Sequence, residues 1–171
     1  GLNELNKRTS CSRIMGEKSK SEVIDLRIKD NEKIYIESIE LKAIYTPGHT
    51  EAHFSYVINF GKEKFLFSGD ALLINACGRT DFQSGSSEDL YKTIQDIFYK
   101  MPDHTKVFPA HDYNKNNFST IKYQKKNNQL ISSNINLKKF IENMNNLKLD
   151  KPKKIDIAVP RNMDCGVIDQ G

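Results

Sequence analysis

At 171 residues, 37% hydrophobic and 28% charged, the chain has the length and composition of one folded domain with at most an extension, which excludes wholesale disorder. No apolar run is long enough to span a bilayer, so a soluble protein with no membrane partner is expected. The net charge of +4 gathers mostly in "NKNNFSTIKYQKKNNQLISSNINLKKF" and "KLDKPKK". No nucleic-acid motif or aromatic-interleaved basic array accompanies these lysines, so they read as a solvated helical face and no nucleic-acid partner is expected.

The opening "GLNELNKRTSCSRIMG" reads as the middle of a domain, with residues 1–8 as the tail of a helix and "CSRIMG" as a short strand. "EVIDLRI", "KIYIE" and "IELKAIYT" are rich in Ile, Val and Tyr with partial alternation, and predict strands. "HFSYVINF" and "KFLFSG" follow as a hairpin turning at "GKE" around Gly61. The period then changes. Leu90, Ile94, Ile97, Phe98 and Met101 fall on one helical stripe, which Pro102 stops. Ser86 or Ser87 caps it, and Glu88 and Asp89 put negative charge in its first turn. "TKVFPA" predicts another strand, "STIKYQKK" the start of a helix, and Leu137, Phe140, Ile141, Met144 and Leu147 the face of a further helix. After Pro152 the tail "KKIDIAVPRNMDCG" reads as extended or irregular. This order of strands, helix, strand and helices is α/β or α+β, without repeats and without a clear boundary, so residues 1–171 are expected to form a single domain.

Cys11, Cys77 and Cys165 are an odd, widely spaced set. They argue against a disulfide framework and for a reducing compartment, and the lack of C-x-x-C removes zinc ribbons and thioredoxin-type motifs.

Three strand ends carry residues of interest. In "YTPGHT", Pro47 and Gly48 build a turn that holds His49 on rigid backbone, which a metal ligand needs. In "FLFSGDALL", Asp70 follows an apolar strand directly, and a carboxylate there is costly to bury unless paired or bound to metal. In "VFPAHDY", His111 and Tyr113 follow the next strand. Imidazole and carboxylate together suit Zn, Fe or Mn. The plain alternatives are a loop histidine without a role and a turn aspartate. His53 begins a strand and reads as a packing or surface residue, and His104, in "MPDHT", as an exposed turn residue.

Together "TPGHT", "FSGDALLI", "CGRTDFQ", "PAHDY" and "PKKIDIAVPRNMDCG" resemble the persulfide dioxygenase branch of the metallo-β-lactamase superfamily. "TPGHT" and "SGD" are shared across that superfamily. "CGRTDFQ" and the tail are specific to the branch. The resemblance implies a four-layer αββα sandwich with its metal site at one edge. In this branch one Fe(2+) is held by two histidines and an aspartate, leaving positions open for substrate and dioxygen. His49 and Asp70 match two of those three ligands. The position of His111 lies beside the iron here and is a ligand in dinuclear zinc relatives of the glyoxalase II type. Tyr113 is implied as a residue orienting a ligand or substrate. Arg79 matches an arginine near the substrate pocket, where it contacts a glutathione carboxylate or supports the loop. Cys77 matches a cysteine close to the pocket, a redox-sensitive candidate if its pKa is lowered and otherwise a small buried residue.

One departure stands out. The superfamily's H-x-H-x-D-H motif, which supplies the third iron ligand, is absent, and none of the four histidines clusters. "GLNELNKR" resembles the stretch that follows it, so the chain is expected to lack the N-terminal strands and that loop, and to be an incomplete form of its parent. The implied activity is oxidation of glutathione persulfide by dioxygen to sulfite and glutathione, in mitochondria if the source is eukaryotic and otherwise in cytoplasm. Homo-oligomers are compatible with it. The alternatives are a glyoxalase-II-type hydroxyacylglutathione hydrolase with a dinuclear Zn(2+) site, and a non-catalytic protein with a relic site.

Overall fold

The apolar alternation read from residues 33 to 69 does build strands, and short turns make them sequential neighbours. The computed structural model of the chain describes residues 1–112 and 116–166. Its contacts divide into two compact units, Gly1–Ile28 with Lys148–Gly171, and Lys29–Leu147.

The first unit holds helix α1 (Leu2–Thr9), the parallel pair β1 (Ile14–Gly16) and β2 (Leu26–Ile28), and helix α5 (Ile155–Met163). The strand expected over 22–28 is confined to its last three residues. Arg13 ties this unit together, its guanidinium meeting Asp25 at 2.8 and 3.0 Å and Asn3 at 3.2 Å. The Arg13 side-chain and backbone N–H groups hold the Asp25 carboxyl down at about 2. A depressed folded pKa stabilises the fold above the unfolded value of about 3.9 and loses that contribution as pH falls through it toward 2. The stability gap between wild type and Asp25→Ala in urea unfolding is therefore expected to be full above about pH 5 and to close toward pH 2. A gap independent of pH would remove the ion pair as its cause.

The second unit is built on a six-stranded sheet in the order β10-β9-β6-β5-β4-β3. Strands β3 (Lys33–Ile36), β4 (Ile39–Tyr45), β5 (Phe54–Phe60) and β6 (Glu63–Gly69) form an antiparallel meander. After β6 the chain makes a small hairpin of β7 (Leu72–Leu73) and β8 (Ala76–Cys77). It then crosses over through helix α2 (Ser87–Lys92) to β9 (Lys106–Pro109), which pairs parallel with β6, and β10 (Ser119–Thr120) closes the edge antiparallel to β9. Ser86 is the α2 cap, its hydroxyl accepting from the Asp89 N–H at 3.1 Å. Helices α3 (Ile121–Asn127) and α4 (Leu137–Asn145) follow, capped by Thr120 and Asn136.

Val57, Leu66 and Val107 lie side by side on neighbouring strands and face inward. With Leu90, Ile94, Phe98, Ile121, Ile131, Phe140 and Met144 they form the core between sheet and helices. The opposite face carries a second apolar row. Phe65, Phe67 and Phe108 pack ring to ring, and Phe118 stands 5.6 Å from Phe108. Phe67 and Phe118 on this second face remain exposed.

Two elements differ from expectation. The helix expected to run to Met101 changes at Thr93 into a π turn (93–97) and then a 3₁₀ turn (98–100). The wide turn keeps Leu90, Ile94 and Phe98, four residues apart, on one fully buried line. The tail expected to be extended or irregular is instead helix α5, despite Pro160 inside it. Its first turn forms on the carbonyls of Pro152 and Lys154, and Lys151 pairs with Asp156 at 2.8 Å. None of its residues is buried, so no apolar stripe marks it in the sequence.

Candidate metal centre

β4 and β6 flank β5, and both end at the same edge of the sheet. The turn after β4 carries His49 and the turn after β6 carries Asp70. Gly48 has φ +132°, a conformation side chains avoid, and a Cβ there would strike the Leu90 backbone and reach 2.5 Å from its Cβ. The turn is pinned to α2, since the Gly48 carbonyl accepts from the Ser86 N–H at 2.8 Å and Thr93 donates to the Pro47 carbonyl at 2.8 Å.

The His49 ring is oriented by chemistry alone. Its Nδ1 lies 2.8 Å from the Arg79 carbonyl oxygen, which can only accept. Nδ1 therefore carries a proton, and in the neutral ring Nε2 presents its lone pair toward Asp70 Oδ2 at 3.8 Å. A backbone carbonyl on the far nitrogen is how metal-binding histidines are held. Gly78 makes the approach possible, because a Cβ there would strike the Asp70 carbonyl and sit 2.8 Å from His49 Nδ1.

Asp70 Oδ1 is buried with no hydrogen-bond partner. His111 Nε2 stands 3.2 Å from it, outside hydrogen-bonding geometry. The three predicted residues His49, Asp70 and His111 are thus brought together, with the carboxylate between two imidazoles. Among the described residues no group of three or more His, Cys, Asp or Glu side chains is placed so as to hold a metal ion by itself. The donors nonetheless fit a divalent transition metal: an imidazole lone pair aimed at a carboxylate whose buried oxygen lacks a donor.

The other expected residues fall as follows. Arg79 gives its carbonyl to His49 while its guanidinium grips Asp81 at 2.7 Å by two bonds and lies 4.5 Å over Phe82. The hydrogen bond from Arg79 holds the Asp81 carboxyl below its ordinary range. Tyr113 lies outside the described residues. Cys77 is buried, its Sγ 3.8 Å from Met144 Sδ, and burial pushes its thiol up to about 12. That is the environment of the small buried residue, one of the two readings the sequence left open; the redox-sensitive one needs a lowered pKa. Ellman's reagent is expected to label Cys11 in the native protein and all three thiols only after denaturation. Rapid native labelling of Cys77 would reverse that assignment.

His104 is an exposed turn residue, as expected. His53 is more than packing. It lies just ahead of β5, close to both turns, and burial, then the neighbouring His49, push it down to about 4. A cavity of about 310 Å³ lined by Ile74, Asn75, Phe118, Thr120 and Tyr123 contains none of these site residues.

The metallo-beta-lactamase superfamily pattern matches residues 7–111, more than half of the chain. The chain belongs to the metallo-β-lactamase superfamily. The resemblance to its persulfide dioxygenase branch also holds. The mitochondrial persulfide dioxygenase ETHE1 of Mus musculus is 39% identical over 143 residues, 84% of this chain and 55% of the relative. A hydroxyacylglutathione hydrolase of Dictyostelium discoideum is 32% identical over 120 residues, 68% of this chain and 44% of the relative. The crystal structure of ETHE1 from Myxococcus xanthus superposes with a TM-score of 0.90 at 32% identity, covering 96% of this chain and 71% of that one. The chain thus spans about half the length of the curated relatives it matches.

Within this superfamily chain, "TPGHT" and "SGD" mark the turns that carry His49 and Asp70. The signals for Gly78 and for the Arg79 carbonyl were present only as the motif "CGRTDFQ", which names residues but not a backbone contact. Asp81 lies in the same motif, and nothing in the sequence alone pairs it with Arg79.

Proposed function

We propose that the protein carrying this chain is a mono-iron persulfide dioxygenase that oxidises glutathione persulfide with dioxygen to sulfite and glutathione. The observation that carries this reading is the convergence of the His49 Nε2 lone pair on Asp70, fixed by the Arg79 carbonyl, in a chain 39% identical to a persulfide dioxygenase. We assign His49 and Asp70 as ligands of Fe(2+), and His111 as a group beside the metal. When bound, a ferrous ion would supply open coordination positions and redox capacity for dioxygen chemistry. The chain's own residues hold and orient. The Arg79 carbonyl fixes the His49 tautomer, Gly78 lets that loop approach both ligands, and Asp81 fixes the plane of the Arg79 guanidinium, our candidate for contact with the glutathione moiety. Tyr113 is assigned to orienting substrate or ligand.

We take residues 1–171 as one metallo-β-lactamase-type domain; the family match supports this over residues 7–111. The mitochondrial relatives support a mitochondrial location if the source is eukaryotic; for any other source our reading is cytoplasm. No helix among the described residues is long and apolar enough to cross a membrane.

A second reading is a dinuclear Zn(2+) hydroxyacylglutathione hydrolase. It is favoured by His111 Nε2 at 3.2 Å from Asp70 Oδ1, a carboxylate flanked by two imidazoles as a bridging ligand would be. Metal content of protein purified without added metal or chelator separates the two. One iron with persulfide-dependent oxygen uptake is expected. Two zinc ions with thioester hydrolysis and no oxygen uptake would give the site to the hydrolase.

A further inference from the structure

His49 and Asp70 sit on different turns, so something must set the distance between them. One imidazole touches both turns. The His53 ring lies under Gly69, where a Cβ would come within 2.6 Å of its Nε2. It stands edge-on to the His49 ring at 6.3 Å between centroids. Its Nδ1 is 3.1 Å from the Thr46 carbonyl and 2.9 Å from Thr46 Oγ1, and its own carbonyl accepts from the Thr46 N–H at 3.0 Å.

The hydroxyls beyond it fix the direction of every proton. The Ser68 carbonyl can only accept, so the Ser55 hydroxyl donates to it across a long 3.4 Å contact. Ser55 Oγ must then accept from the Thr46 hydroxyl, 2.9 Å away. With its own proton used, Thr46 Oγ1 can only accept from His53, so His53 Nδ1 carries the proton and Nε2 a lone pair. Ser68 in turn donates to the Leu72 carbonyl at 2.7 Å, which closes the turn around Asp70. Thr46, Ser55 and Ser68 are all buried, so water does not compete for these bonds.

We infer that His53 is a positioning residue that holds the His49 and Asp70 turns at their working separation through the Thr46–Ser55–Ser68 chain. This rests on the assignment of His49 and Asp70 as metal ligands. Supporting groups of this kind change metal affinity by about 10–100-fold when removed.

The test uses Co²⁺ titration by absorbance, with the imidazole ¹⁵N resonances as a readout that needs no metal. His53 is expected to show the Nδ1–H neutral tautomer. His53→Ala is expected to bind Co²⁺ about 10–100-fold more weakly with an unchanged circular dichroism spectrum. His53→Asn keeps a donor at the Nδ1 position and is expected to recover part of the loss. Thr46→Val cuts the chain without touching the ring and is expected to weaken binding as well. An Nε2–H tautomer, or wild-type affinity in His53→Ala and Thr46→Val, would overturn the inference. If wild type and Asp70→Ala bind Co²⁺ alike, the ligand assignment falls instead. The His49 ring resonances then decide: a shift in His53→Ala keeps His53 as the link between turns, and unchanged resonances overturn it.

Discussion

Asp70→Ala is expected to remove stoichiometric metal and to abolish persulfide-dependent oxygen uptake, a loss well beyond the about 100-fold seen for supporting residues. The reasoning starts from the carboxylate rather than from the motif. A turn aspartate earns its place by accepting backbone N–H groups, and losing such a cap costs about 1 kcal/mol. Asp70 Oδ1 does not do this; it is buried with no hydrogen-bond partner and faces imidazoles. The side chain as a whole is 36% exposed, but this one oxygen is shut away without a donor, a local burden on the metal-free fold. Asp70→Ala and Asp70→Asn should therefore leave the thermal midpoint of metal-free protein unchanged or raised, while metal content, measured by atomic emission, falls to background. A lowered midpoint with metal retained would make Asp70 a structural turn residue and take it out of the ligand set.

The parts of this molecule that could be read from its sequence are those whose chemistry is local. The meander over residues 33–69 follows from alternation and the Gly61 turn, and the Ser86 and Thr120 caps from a hydroxyl ahead of a periodic run. His49, Asp70 and His111 could be suspected singly because ligand-type side chains follow strands at all three places. What could not be read is set by tertiary context. Helix α5 buries nothing and contains Pro160, so neither periodicity nor propensity announces it. Cys77 opens the motif "CGRTDFQ" at the end of β8, and only its packing against Met144 reveals it as a buried thiol. His53 reads as an ordinary strand-start residue because its partners Thr46 and Gly69 lie on the neighbouring strands' ends. The lesson concerns backbone as much as side chains, since the Arg79 carbonyl that orients His49 has no signature in any residue type.

The second large effect comes from backbone alone. Gly48→Ala is expected to destabilise the protein by about 2–6 kcal/mol, the sum of about 1–3 for forcing a side chain into a glycine-only conformation and about 1–3 for overpacking. Both terms act here, because Gly48 has φ +132° and its absent Cβ would strike the Leu90 backbone within α2. Relief requires that α2 retreat or that the turn rotate. Either movement breaks the 2.8 Å bond between the Gly48 carbonyl and the Ser86 N–H, and carries His49 with it. Gly61 supplies the control. It also has positive φ, at +59°, but a Cβ there meets nothing within 4 Å, so Gly61→Ala should show only the conformational part, about 1 kcal/mol. Urea unfolding of the two variants beside wild type measures the difference. Equal losses would mean that the α2 contact yields freely, and that the His49 turn is held by something other than its packing on Leu90.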